Sequence, residues 1–242
     1  MTVVKPYQSS ESKKNQVHEM FNTISTEYDL LNTVLSFGIH HYWRKKCVNL
    51  LKPYRPKNIL DLASGTGDLA ISLVKLNPEK IIASDYAEKM LEIAQQKINH
   101  KNLNKIITTQ VEDGENLSFP DNMFDAVTIS FGIRNFENYQ RGIENMYRVL
   151  KPGAVLLILE FTNPKSLIMK SVYGFYFKYI LPLIARLFTK DKNAYGYLPK
   201  SVAAFPQYEN FQKILESKGF SNCRNVSLTG GTATIYVGIK PL

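Results

Sequence analysis

Residues 58–74, NILDLASGTGDLAISLV, constrain the fold of this chain more than any other stretch. Asn58 to Leu62 reads as a short buried strand, Gly65-Thr66-Gly67 as a tight turn, and Asp68 to Leu76 as a helix carrying Leu69, Leu73 and Leu76 at helical spacing. A strand that passes through a glycine turn into a helix aims backbone N–H groups at whatever binds there, which suits a nucleotide. GTGDLA also satisfies the loose G-x-G-x-x-G/A dinucleotide fingerprint. That fingerprint alone does not say which nucleotide is held.

Strand and helix then alternate. Strands are expected near 58–62, 80–84, 105–110, 124–130 and 154–161, with helices near 68–76, 87–99 and 138–150. Such alternation gives an α/β fold with a parallel sheet, helices on both faces and right-handed crossovers. Residues 1–14 read as a loose tail, and Asn15 to Leu51 as a helical block broken at Ser36-Phe37-Gly38. After Asn163-Pro164 the alternation stops in favour of an aromatic, largely helical stretch over 166–188 and a loop through 195–197. A helix over 207–218 follows, then strands at 225–229 and 232–239 around Gly230-Gly231, which place an antiparallel hairpin at the end of the sheet. The organisation is one domain over 15–242 with a helical insertion at about 164–206.

Lysine and arginine exceed aspartate and glutamate by 30 − 21 = 9. That excess permits attraction to nucleic acid, anionic lipid or an acidic ligand and chooses none of them. Cys47 and Cys223 stand far apart and outside any CxxC, so no disulfide framework or zinc site is expected and a reducing compartment suits them. His18, His40, His41 and His100 lack metal-ligand spacing; no metal is expected, and His40-His41 reads as a polar turn. The polar N-terminus has neither a secretory nor a transit pattern, which suits a cytoplasmic protein.

The nucleotide is narrowed by its neighbours. Asp85 ends the second strand 20 residues beyond Gly65, where it can accept hydrogen bonds from a ribose diol or cap the helix that follows. Asp61 lies four residues before Gly65, a depth at which a carboxylate suits a cationic ligand or a network bracing the turn. Val111-Glu112-Asp113-Gly114 follows the third strand, in place for an adenine ring, and FDAVTISF and MYRVLKPGAVLLILEF supply the fourth and fifth strands. This succession resembles the class I S-adenosylmethionine-dependent methyltransferases. The resemblance implies a Rossmann-like, mostly parallel seven-stranded sheet that ends in an antiparallel hairpin, and a sulfonium cofactor in the glycine turn.

VHEMFNTISTEYDLLNTVLSFGIHHYWRKKCV, LDLASGTGDLAISL, FDAVTISFGIRNFENYQRGIENMYRVLKPGAVLLILEFTNP, GYLPKSVAAFPQ and SLTGGTATIYVG, together about residues 17–240, resemble the ubiquinone/menaquinone biosynthesis C-methyltransferases more closely still. The likeness implies methylation of a polyprenylated quinol ring carbon. Cofactor contacts would fall at Asp61, Gly65, Thr66 and Gly67, at Asp85 for the ribose, at Asp113 and Gly114 around the adenine, and at Ser130. The chain departs from a common family pattern at Ser64, where a second glycine is frequent, and at Asp113-Gly114, where Asn-Ala is frequent. Without a transit pattern, demethylmenaquinol is the expected substrate, with a ubiquinone-pathway benzoquinol as the alternative.

Carbon methylation needs an electron-rich ring. A phenol of pKa about 10 is only ~0.1% ionised at pH 7, and a three-unit shift asks for about 4 kcal/mol of anion stabilisation. One nearby cation supplies roughly 1–3 units. Arg134 is expected to stabilise the quinolate and Asn135 to orient it, unless Arg134 instead pairs with an acid to brace its turn. Tyr28 or His18 are candidates to take the quinol proton, with Asn32 a weaker one, and the N-terminal helices would form a lid. VYGFYFKYILPLIARLF, residues 172–188, is too short and too charged to span a bilayer. It would cover the site, make a homodimer contact, or lie on a membrane as a peripheral anchor on the inner face. An RNA methyltransferase is disfavoured, because FGIRNF stands where an Asn/Asp-Pro-Pro-aromatic turn is common and the lysines are scattered. No nucleic-acid partner is expected.

Overall fold

The computed structural model describes residues 4–176, 179 and 192–242. Most of the aromatic stretch expected to act as a cover or membrane anchor lies outside the described residues. The strands are β1 Asn58–Leu62, β2 Lys80–Asp85, β3 Ile107–Val111, β4 Phe124–Ser130, β5 Leu150–Phe161, β6 Ser221–Leu228 and β7 Ala233–Ile239. They form one sheet in the order β3-β2-β1-β4-β5-β7-β6. β1 to β5 pair in parallel, and β7 runs antiparallel to both β5 and β6. The architecture is thus the expected α/β one, with the antiparallel hairpin at one edge. The strand order reverses between β1 and β4, and in such sheets ligands bind beyond the carboxyl ends of the strands at that switch point.

Both faces of the central strands are covered, so their residues are apolar without alternation. On one face α3 (Ile39–Leu51), α4 (Asp68–Leu73) and α5 (Glu88–His100) bury Trp43, Cys47, Leu51, Leu69, Leu73 and Ile98 against Ile59, Ile81 and Leu157. On the other, α6 (Tyr139–Val149) and α9 (Glu209–Ser217) bury Ile143, Met146, Phe211 and Leu215 against Leu60, Ile129 and Leu156. Each such side chain stabilises the fold by roughly 1.5–3 kcal/mol. The remaining helices are α1 (Lys13–Ile24), α2 (Tyr28–Leu35), α7 (Leu167–Phe175) and α8 (Lys192–Ala204).

Several boundaries differ from the sequence expectation for identifiable reasons. Lys13, assigned to the tail, is the first residue of α1 and is buried, with the Ser12 hydroxyl capping the helix by accepting from the Asn15 N–H. α4 ends at Leu73, and the chain tightens into a 3₁₀ turn over Val74–Leu76. Lys151-Pro152-Gly153 lies inside β5 as a bulge: the register jumps from Phe124 opposite Leu150 to Ala126 opposite Val155, and Gly153 takes φ +78°. β6 begins at Ser221 rather than 225, because an edge strand with alternate polar residues carries no continuous apolar run. Among the described residues no helix is long and apolar enough to cross a membrane.

Candidate active site

Two cavities meet at the carboxyl ends of β1, β2 and β4. The smaller, about 90 Å³, is lined by Gly65, Asp85, Tyr86, Met90, Glu112, Asp113, Gly114, Glu115, Ser130 and Phe136, among others. The larger, about 360 Å³, is lined by Tyr28, Asn32, His40, Trp43, Arg44, Thr66, Phe131, Arg134, Phe161 and Tyr173, among others. Phe21, Tyr28, Ala63, Gly65, Ser130 and Phe131 line both, so they form the passage between the two.

The glycine turn is held from inside the protein. Gly65 and Gly67 take φ +56° and +79°. A Cβ at Gly67 would stand 3.0 Å from the Ala94 Cβ, so α5 packs directly on the turn. The Gly65 N–H donates to Asp85 Oδ2 at 2.8 Å and the Gly67 N–H to the Ser64 carbonyl at 2.9 Å. These two donors are therefore not aimed at a ligand phosphate. Ala63, at φ +50°, occupies the left-handed conformation that glycine favours, so the backbone strain of ASGTGD falls at 63, next to the Ser64 exchange rather than on it.

Of the two roles considered for Asp85, the structure shows the helix cap: Oδ1 accepts from the Ala87 N–H at 2.9 Å, while Oδ2 holds Gly65 and the residue lines the smaller cavity. Burial raises its pKa above the usual range despite these bonds. Asp113 also lines that cavity, with Oδ1 accepting from the Glu115 N–H at 3.0 Å and Oδ2 paired to Lys14 of α1 at 2.5 Å. Four acidic residues line the cavity with one lysine, Lys14, but the Glu112 carboxylate is bonded to Ser118 and Gln110 and that of Glu115 to the Glu137 and Asn138 N–H groups, so Asp85 and Asp113 are the acids available to a ligand. The smaller cavity is acidic, unlike a pyrophosphate site. The Gly114 exchange is matched by Phe136, since a Cβ at 114 would lie 2.3 Å from that ring, and one at Gly142 would lie 2.5 Å from it.

Asp61 is fully buried beneath the turn and lines neither cavity. Its Oδ1 accepts from the Thr128 hydroxyl at 2.6 Å, and Oδ2 has no hydrogen-bond partner among the described residues. Burial pushes its pKa up to about 7. Thr66 lines the larger cavity, and its hydroxyl donates to Asp29 Oδ1 of α2 at 2.5 Å. Lys97 of α5 binds the other Asp29 oxygen at 2.8 Å and also Asp68, which Arg44 contacts at 3.2 Å. The lid helix α2 is thereby latched onto the glycine turn.

Arg134 lies in a 3₁₀ turn, Ile133–Asn135, beyond β4. Its Nη1 pairs with the fully buried Glu160 at 2.8 Å and donates to the Phe131 carbonyl at 2.5 Å, which is the bracing alternative raised from the sequence. Its Nε is buried and has no partner among the described residues, while the side chain forms part of the larger cavity. Asn135 does not line that cavity: it faces the smaller one and accepts from the Tyr197 hydroxyl of α8 at 3.1 Å. Tyr28 stands in the passage, and burial raises its pKa, so its phenol stays protonated at neutral pH. His18 lies in neither cavity; its Nε2 contacts Glu88 at 2.7 Å.

Sequence reasoning missed His40, Glu160, Lys13 and Phe136. His40, Trp43 and Cys47 share a face of α3 at helical spacing, a signal that His40 points inward. Glu160 ends a buried apolar strand, and a lone acid there needs a partner. Lys13 donates to the Arg134 and Phe136 carbonyls at 2.8 Å each, with its pKa lowered to about 8, mainly by burial and then by Arg134.

Residues 9–240 match the model of the ubiE/COQ5 methyltransferase family. The chain is 44% identical to a demethylmenaquinone methyltransferase of Bacteroides fragilis over 98% of this chain and 97% of that one. It is 41% identical to a ubiquinone/menaquinone biosynthesis C-methyltransferase of Geotalea uraniireducens over 94% of this chain and 97% of that one. Among solved structures, an S-adenosylmethionine-dependent methyltransferase from Thermotoga maritima superposes with a TM-score of 0.64 at 18% identity, covering 92% of this chain and 99% of that one. With a family match over nearly its whole length and relatives more than 40% identical end to end, this chain belongs to the ubiE/COQ5 methyltransferase family.

Proposed function

We propose that the enzyme transfers a methyl group from S-adenosylmethionine to a ring carbon of demethylmenaquinol. The observation that carries this reading is an acidic cavity opening, past Tyr28, into a larger aromatic one. The residues of the smaller cavity fit the cofactor. The acidic lining suits a cationic ligand, Asp85 offers acceptors to a ribose diol, Asp113 offers one to an adenine amino group, and Met90 and Phe136 give a flat apolar wall. When bound there, S-adenosylmethionine supplies an electrophilic methyl on a sulfonium.

The larger cavity suits a fused aromatic ring. Phe131 and Phe161 stack with centroids 4.2 Å apart, and Trp43 completes the wall 5.7 Å from Phe131. Arg134 stabilises the ring oxygen as it gains negative charge, through the unpartnered Nε, while Glu160 fixes the guanidinium. Asn135 acts indirectly, by tying the Arg134 turn to Tyr197. Tyr28 serves as a hydrogen-bond donor and as the wall of the passage rather than as a base, because its phenol keeps its proton. Holding the ring at roughly 3–3.5 Å from the methyl and excluding water supply most of the remaining catalysis.

A polyprenyl substrate resides in lipid, and we place the enzyme peripherally on the inner membrane surface. Support comes from exposed apolar side chains near the larger cavity: Phe37 is 70% exposed, Leu167 80% and Ile168 77%. The decisive experiment incubates the pure protein with S-adenosylmethionine and reduced demethylmenaquinone and weighs the lipid quinones by mass spectrometry. A gain of one methylene mass that requires the reductant supports the reading. No gain from demethylmenaquinol together with a gain on a ubiquinone-pathway benzoquinol would replace it.

A further inference from the structure

We infer that His40 is the side chain that makes the larger cavity select the hydroquinone over the quinone, by presenting a fixed hydrogen-bond acceptor at Nε2. The inference rests on the quinol reading above. His40 is buried at 5% exposure on α3, and its ring forms part of the cavity wall. Its Nδ1 lies 2.5 Å from Ser36 Oγ, and the same Ser36 hydroxyl lies 2.6 Å from the Asn32 carbonyl. A hydroxyl has one hydrogen, and a carbonyl can only accept, so the Ser36 hydrogen goes to Asn32. Nδ1 must then carry the imidazole hydrogen and donate it to Ser36. The neutral tautomer is thereby set, and Nε2 is left as a lone pair.

Nε2 has no hydrogen-bond partner among the described residues. Imidazolium would present a donor at Nε2 and reverse the preference. Burial, then Arg44 and His41 on α3, lower the pKa to about 4, against the opposing pull of Asp68 on α4 and Asp29 on α2. The ring therefore stays neutral at physiological pH. An acceptor fixed in this way pairs with a hydroquinone O–H and repels a quinone carbonyl, whose lone pairs would face its own. Only the hydroquinone has the electron-rich ring that can be methylated, so the selection keeps the unreactive redox form from occupying the site.

The test is calorimetric titration under anaerobic conditions, with S-adenosylhomocysteine present, using 1,4-naphthohydroquinone and 1,4-naphthoquinone as probes. Wild-type protein is expected to bind the hydroquinone about tenfold or more tightly than the quinone, matching one hydrogen bond of about 1.4 kcal/mol. His40→Gln, whose amide offers either a donor or an acceptor, is expected to bring the two affinities within about twofold. Ser36→Ala, which releases the tautomer, is expected to shift the ratio the same way while circular dichroism shows the fold retained. Equal affinities in wild type, or an unchanged preference in both variants, would overturn the inference and leave the quinol reading standing. Failure of wild type to bind either probe would remove the quinol reading, and the inference with it.

Discussion

At the scale of single residues, buried charge governs behaviour. Removing the Arg134 side chain leaves the Glu160 carboxylate buried without its guanidinium. Arg134→Ala should therefore cost about 3–5 kcal/mol of stability in urea denaturation, and a paired Arg134→Met, Glu160→Leu replacement should recover most of it. Loss of activity in Arg134→Ala counts towards a catalytic role only after that correction. Asp61 has a folded pKa of about 7 against an ordinary 3.8, so folding takes up a proton between those values. Its contribution is fullest below pH 3.8 and is lost as pH rises towards 7, at about 1.4 kcal/mol per unit. Compared with Asp61→Asn, wild type should lose roughly 2 kcal/mol between pH 5 and pH 7, read by the urea midpoint at each pH. The acids around the glycine turn were legible because they sit beside a short motif. The Arg134–Glu160 pair was not, since its members are 26 residues apart and meet only when β5 lies beside β4.

At the scale of elements, the glycines around Phe136 and the latch on α2 shape the walls of the two cavities. Gly114→Ala forces the Phe136 ring away from its place between Gly114 and Gly142. Overpacking of this kind costs about 1–3 kcal/mol, and the displaced ring should also weaken cofactor binding in calorimetry. Asp29→Ala should behave differently. Its pair with Lys97 is partly exposed, so the global unfolding midpoint should move by less than about 1 kcal/mol. Hydrogen exchange over Tyr28–Leu35 should nonetheless quicken, because Thr66 and Lys97 both hold α2 through that one carboxylate. Strand and helix alternation announced the sheet plainly, whereas bulges, edge-strand ends and the Lys13 anchor depend on contacts that periodicity does not encode.

At the scale of the whole molecule, the excess of 9 positive charges and the exposed apolar residues near the larger cavity act together if the enzyme works at a lipid surface. Binding to anionic vesicles should fall steeply as salt rises, at about 1 kcal/mol for each lysine or arginine near the surface, towards the weaker, salt-insensitive level found on neutral vesicles of the same chain length. Phe37→Ser should weaken the remaining, salt-resistant part. The partition between the two cavities belongs to this scale too. Tyr28 comes from the latched lid helix, not from the sheet, and its flank faces both chambers. Occupation of one chamber therefore changes the freedom of the wall of the other, and by reciprocity each ligand must raise or lower the other's affinity by the same factor. Such an enzyme keeps time: the arrival of one ligand sets the odds of the next.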